Sequence, residues 1–238
     1  MPQIPNRIGI FFLTVVAFIS MKSALSGKKR AGSSSVDPAL LALLSENLTI
    51  LSATSIATLW SSYGHIYRLS ARTDDDKTKT FVLKHIHPPD VPSASVSHAR
   101  KLTSYAVEQY FYEHLARRLP PSVAVAGFYP TRSRGALLLD DLSDDYPRAA
   151  WGSLNLEDTH SVLRWLAGFH ATFWGERGTV PPPIEGRNAS VDEAVTGVWQ
   201  QGCYFYLETR QEEFEAIDED GDLAFVTKWA HRVSACES

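Results

Sequence analysis

A lysine interrupts the alternating apolar run Phe81-Val82-Leu83-Lys84-His85-Ile86. The alternation predicts a strand, and a lysine in the middle of such a strand needs a partner, because an unpaired charge in apolar surroundings is costly. The segment from Arg100 to Leu119 predicts a helix that carries Leu102, Tyr105, Phe111, Tyr112, Leu115 and Leu119 on about one face. Glu108 lies on or beside that face. An acid in that position is also expensive unless it is paired, so Lys84 and Glu108 are expected to meet across a strand-to-helix contact.

The surrounding pattern supplies a frame for that contact. Pro38 to Leu44 predicts a short apolar helix with Asp37 as its N-cap. Ile50 to Leu59 and Ile66 to Ala71 predict two strands, separated by Trp60-Ser61-Ser62-Tyr63-Gly64-His65. The turn Thr73-Asp74-Asp75-Asp76 leads into the Lys84 strand, completing an antiparallel meander. Small residues and the single glycine Gly64 between strands would let backbone amides approach a phosphate; on its own, the same loop reads as a plain hairpin. After a proline-serine loop and the Glu108 helix, Val123 to Tyr129 and Ala136 to Leu139 predict two further strands. Leu137-Leu138-Leu139-Asp140-Asp141-Leu142 passes from an apolar run directly into acids, as a strand leaving a core to become an exposed linker should.

Beyond the linker the pattern turns helical. Leu156 to Trp174 repeats apolar residues at three- and four-residue steps, with Glu157 and Asp158 in a first turn where the helix dipole favours acids. Its apolar character reads as two-sided, Trp165 on one side and Phe169 with Phe173 on another. His170 reads as a core histidine rather than a base. Ser190 to Tyr206 is expected to be helical, Gln211 to Asp222 acidic and exposed, and Leu223 to Val233 a last helix. Asp218, Asp220 and Asp222 imitate the start of a calcium loop, but the twelfth position is Trp229, where a bidentate glutamate is required.

A net charge of -4 argues against a nucleic-acid binder, which would need a basic face, and there is no long basic tract outside Lys28-Lys29-Arg30. Cys203 and Cys236 show neither metal-ligand spacing nor a disulfide framework, which fits a reducing compartment. The apolar run at residues 8–21, flanked by Arg7 and Lys22, is short for a span of about 20 residues. It reads either as a membrane-associated leader or anchor, or as an upstream extension of the reading frame ahead of Met21. Asn47-Leu48-Thr49 and Asn188-Ala189-Ser190 are sequons that matter only on the secretory route.

In this order the motifs resemble the choline-kinase-like and ecdysteroid-kinase-like branch of the aminoglycoside-phosphotransferase superfamily. The resemblance runs through Trp60 to Leu69, Phe81 to Ile86, Ser104-Tyr105-Ala106-Val107-Glu108-Gln109-Tyr110-Phe111-Tyr112, Leu137 to Leu142 and Leu163 to Trp174, covering about residues 45 to 235. It implies an α+β, protein-kinase-like fold: an antiparallel β small lobe with one inserted helix, then an incomplete helical large lobe. The parts are an apolar N-terminal segment and linker (1–35), the small lobe and hinge (36–142) and a partial large lobe (143–238). By resemblance Lys84 holds ATP phosphates and Glu108 holds the lysine. Gly64 belongs to the nucleotide loop, and Asp140, Asp141 and Leu142 form the hinge whose backbone binds adenine.

The implied activity is ATP- and Mg2+-dependent phosphorylation of a small-molecule hydroxyl. The family's H-G-D-like loop and metal-binding aspartate should follow the helix at Leu223 to Val233, and the sequence stops at Ser238 before them. Asp220-Gly221-Asp222-Leu223 precedes that helix and does not replace the loop. The expectation is therefore that this chain does not turn over. The competing expectation is a noncatalytic nucleotide- or partner-binding pseudokinase module, tethered to a membrane if residues 8–21 are an anchor.

Overall fold

The structure, a computed structural model, describes residues 37–44, 47–90, 95–147, 153–181, 190, 193–200, 214–217 and 225. The expectation for the N-terminal apolar run lies outside these residues, as do those for the sequon at Asn188, apart from Ser190, and for the last helix, apart from Phe225. So does most of the acidic stretch before that helix. Among the described residues, no helix is long and apolar enough to cross a membrane.

Helix α1 spans Pro38–Leu43, and the Asp37 side chain accepts a hydrogen bond from the Ala39 amide at 2.9 Å. Proline at the first helical position costs nothing, since its missing N–H would be unpaired there anyway. Strands β1 (Thr49–Thr58), β2 (Gly64–Arg72) and β3 (Thr78–Ile86) then form the meander, followed by helix α2 (Val96–Tyr110). The short β4 (Phe128–Tyr129), β5 (Ala136–Asp140) and helix α3 (Leu156–Thr172) complete the ordered elements. The five strands form one antiparallel sheet in the order β1-β2-β3-β5-β4. The chain is thus α+β, with α2 inserted between the third and fourth strands.

Period-two alternation sorts the side chains of the sheet to two faces. Phe81 and Leu83 of β3 join Leu69, Ala71, Ala136 and Leu138 under α1, where Leu40 and Leu44 complete the cluster. On the other face Ile66 and Ile86 pack with Leu102 and Tyr105 of α2. Lys84 occupies this second face, between Ile66 and Leu137 in the ladder. A third cluster, around Phe111, Tyr112, Leu137 and Leu139, takes in Phe169 and Phe173 of α3.

Several sequence expectations are corrected. The helix expected over Arg100 to Leu119 begins earlier, at Val96, where Ser95 caps it by accepting from the His98 amide. It also leaves α-helical geometry at Phe111, continuing as a π turn to Leu115 and a 3-10 turn to Arg118. Val123 to Tyr129 pairs as a strand only at Phe128–Tyr129. Upstream, the backbone has other partners: the Val123 amide donates to Pro120, and the Ala124 carbonyl accepts from the Trp165 indole. Residues 193–200 are not helical. There Val198 and Gln200 exchange backbone hydrogen bonds with Thr179 and Val180, and Val180 and Trp199 form a parallel bridge.

Helix α3 is apolar on two sides, but not as its sequence suggests. Trp165, Phe169 and Phe173 are spaced by four residues and so share one face, with ring centroids 5.3 Å and 5.1 Å apart along it. The second apolar stripe is Leu156, Leu163 and, just past the helix end, Trp174, which are 72%, 54% and 86% exposed. His170 is exposed rather than a core residue, because it lies beside this outward stripe.

Candidate functional site

The Lys84 ammonium forms an ion pair with the Glu108 carboxylate, and both residues are buried, at 5% and 7% exposure. Lys84 is placed by the central strand β3, whose hydrogen-bonded neighbours on both sides prevent it from shifting. Glu108 is placed by α2, which lies on that face through Leu102 and Tyr105. Tyr105 adds a contact that the alternating pattern did not announce, its ring standing 4.7 Å from the Lys84 nitrogen. Tyr105 and Glu108 are three residues apart and therefore neighbours on the helix surface, so one turn of α2 presents both an aromatic face and a carboxylate to the same cation.

The pair leaves one group unsatisfied. Glu108 Oε1 is buried and, among the described residues, accepts no hydrogen bond. A buried carboxylate with an idle acceptor is unfavourable as it stands, and it favours any donor that can reach it. Next to it, burial and then the Glu108 charge push the Tyr112 hydroxyl well above the ordinary tyrosine range, so it stays protonated.

Gly64 opens β2 at φ +140°. A Cβ there would overlap the carbonyl oxygen of His85 on β3 and stand 2.9 Å from the His87 amide nitrogen. The glycine is therefore required by the close approach of β2 to β3, independently of any ligand. The turn before it holds Ser61 and Ser62 at φ 56° and 60°, a left-handed pair of non-glycine residues.

The acids expected to open an exposed linker do not: Asp140 is the last residue of β5, and both it and Asp141, whose side chain is 4% exposed, turn their carboxylates towards the sheet. Asp140 accepts from the Tyr129 hydroxyl at 2.8 Å, the Gly127 amide at 3.1 Å and the Lys79 ammonium at 2.7 Å. The Lys79 ammonium also donates to the Tyr129 hydroxyl at 2.5 Å, and its bonds, first with Asp140 and then with Tyr129, raise its pKa above the usual value. Asp141 accepts from Arg68 Nε at 2.7 Å and the Ser143 amide at 3.0 Å. Leu142 packs on the Phe111 cluster, and its carbonyl accepts from the Tyr146 amide. The three residues thus fasten this segment to β2, β3, β4 and the π turn that follows α2, and the Asp140 amide itself donates to the Gly127 carbonyl at 2.9 Å. Lys79, Arg68 and Gly127 were not visible as their partners from spacing, because each lies at least 13 residues away in sequence.

Among the described residues, no group of three or more His, Cys, Asp or Glu side chains could hold a metal ion.

On the opposite sheet face, His65 and His85 are directly paired across β2 and β3, and the His85 and His87 rings lie 6.0 Å apart. Burial first, then the neighbouring His87 and His65, lowers the His85 pKa, while Asp37 opposes the shift. A histidine whose folded pKa is depressed binds fewer protons than in the unfolded chain. Its contribution to stability is thus complete above the ordinary pKa of about 6.5 and is lost as pH falls through and below that value. Thermal unfolding is expected to move to lower temperature between pH 7.5 and pH 5.5, and His85→Gln is expected to flatten that dependence.

Comparison with family models, curated proteins and solved structures returns no match to this chain.

Proposed function

We propose that this chain carries the nucleotide-holding part of a kinase-like phosphotransferase, with the sheet and α2 as its small lobe and α3 as the first helix of a large lobe. In this reading Lys84 donates to the phosphates of ATP, Glu108 keeps the lysine on station, and the backbone around Asp140, Asp141 and Leu142 meets the adenine. The acceptor class is a small-molecule hydroxyl, by resemblance to the choline-kinase-like branch. The observation that carries the reading is the buried Lys84–Glu108 pair between the third strand and the inserted helix. A purely structural contact would be satisfied by apolar side chains at lower cost. Retaining two buried charges with one acceptor idle fits a site that rearranges when an anion arrives.

Calorimetric titration of the full chain with ATP tests this. Lys84→Met paired with Glu108→Gln removes the cation without stranding a buried carboxylate, and is expected to weaken ATP binding about thirtyfold while the chain still melts cooperatively. Equal ATP affinity in the folded double variant, or no binding by the native chain, refutes the proposal.

A further inference from the structure

Helix α2 carries a second cation on the stripe that holds Glu108. His98, Lys101, Tyr105 and Glu108 follow one another at three- and four-residue steps and so line one side of the helix. The lower two hold Lys84. The upper two hold the turn between β1 and β2: the His98 ring bonds the Tyr63 hydroxyl at 2.7 Å, and the Lys101 ammonium contacts Ser61 Oγ at 3.2 Å and lies 4.5 Å from the Tyr63 ring centre.

Lys101 has the features of a cation awaiting a counter-ion. It is partly buried, and no carboxylate pairs with it among the described residues; burial and then the neighbouring Arg100 lower its pKa. An ammonium has three N–H donors. Ser61 takes one and the Tyr63 ring faces another, so at least one is left for a ligand. The turn it touches is the one with two consecutive left-handed serines. Anchoring that turn to α2 therefore places a hydroxyl, a cation and the Lys84 pair along one side of one helix.

We propose that Lys101 is a second phosphate-binding cation, donating to the phosphoryl oxygens of a nucleoside triphosphate bound beneath the β1–β2 turn. This rests on the nucleotide reading of Lys84. Because the turn and Lys84 are both held by the same helix, a rigid displacement of α2 releases both contacts together.

The test compares ATP and adenosine binding to the full chain and to Lys101→Met and Lys101→Gln, by calorimetry. Both variants are expected to lose about tenfold in ATP affinity, as removal of one charged donor implies, with adenosine affinity unchanged. Unchanged ATP affinity in both variants, while the Lys84→Met/Glu108→Gln chain loses it, overturns the assignment of Lys101 alone. Equal losses for ATP and adenosine also overturn it, since they identify a structural contact. Failure of the native chain to bind ATP removes the nucleotide reading and this inference with it.

Discussion

Replacing Glu108 by alanine is expected to destabilise the chain by about 3–5 kcal/mol, measured as a lowered denaturant midpoint. The magnitude follows from what is left behind: Lys84 remains 5% exposed in an apolar setting with its counter-charge removed. The Tyr105 ring is a weak substitute, because a cation–π contact is worth only about 0.5–2 kcal/mol. Replacing both partners, as Lys84→Met with Glu108→Leu, is expected to leave stability within about 1 kcal/mol of the native chain or above it, because desolvation of both charges is avoided together. The contrast between single and double variants separates a buried pair from a solvated one. A single-variant loss below about 1 kcal/mol, the range of exposed ion pairs, would show that water reaches the site.

The second large effect is expected at Gly64. Alanine there must adopt φ +140°, and its methyl group meets the His85 carbonyl. Relief requires opening the β2–β3 ladder at its first pair, Gly64 with Ile86, where the Tyr63 carbonyl also accepts from the His87 amide at 2.8 Å. Strained backbone of this kind costs about 1–3 kcal/mol before the overlap is added, so Gly64→Ala is expected to lose about 3 kcal/mol or more in chemical denaturation. A variant of native stability that loses only ATP affinity would assign Gly64 to the ligand alone. The two variants thus address the same site from its two sides, the helix that holds the lysine and the turn that lies above it.

Much of this arrangement was legible because it depends on local pattern. Alternation marked β1, β2, β3 and β5, and the Asp37 cap and Pro38 marked α1. The pairing of Lys84 with Glu108 was legible for a different reason: each charge was intolerable on its predicted apolar face unless the other met it. The stretch at Val123 misled because apolar β-branched residues are also suited to burial without a ladder, and its backbone partners, Pro120 and the Trp165 indole, depend on distant packing. Similarly, residues 193–200 took up extended pairing with Thr179 and Val180 that no helical period could reveal.

The sequence by itself determined where charge could not remain alone, and so which strand and which helix had to meet. It also determined the class of the chain, since periods of two and of three to four residues follow from backbone geometry at short range. Only the tertiary structure decided what surrounds that meeting: Tyr105 under the lysine, Asp140 and Asp141 turned towards the sheet, Lys101 over the serine turn, and a glycine demanded by a neighbouring strand. Each of these joins residues far apart in the chain or depends on which way a helix face is rotated. Such contacts arise from the packing of whole elements, which no local period encodes.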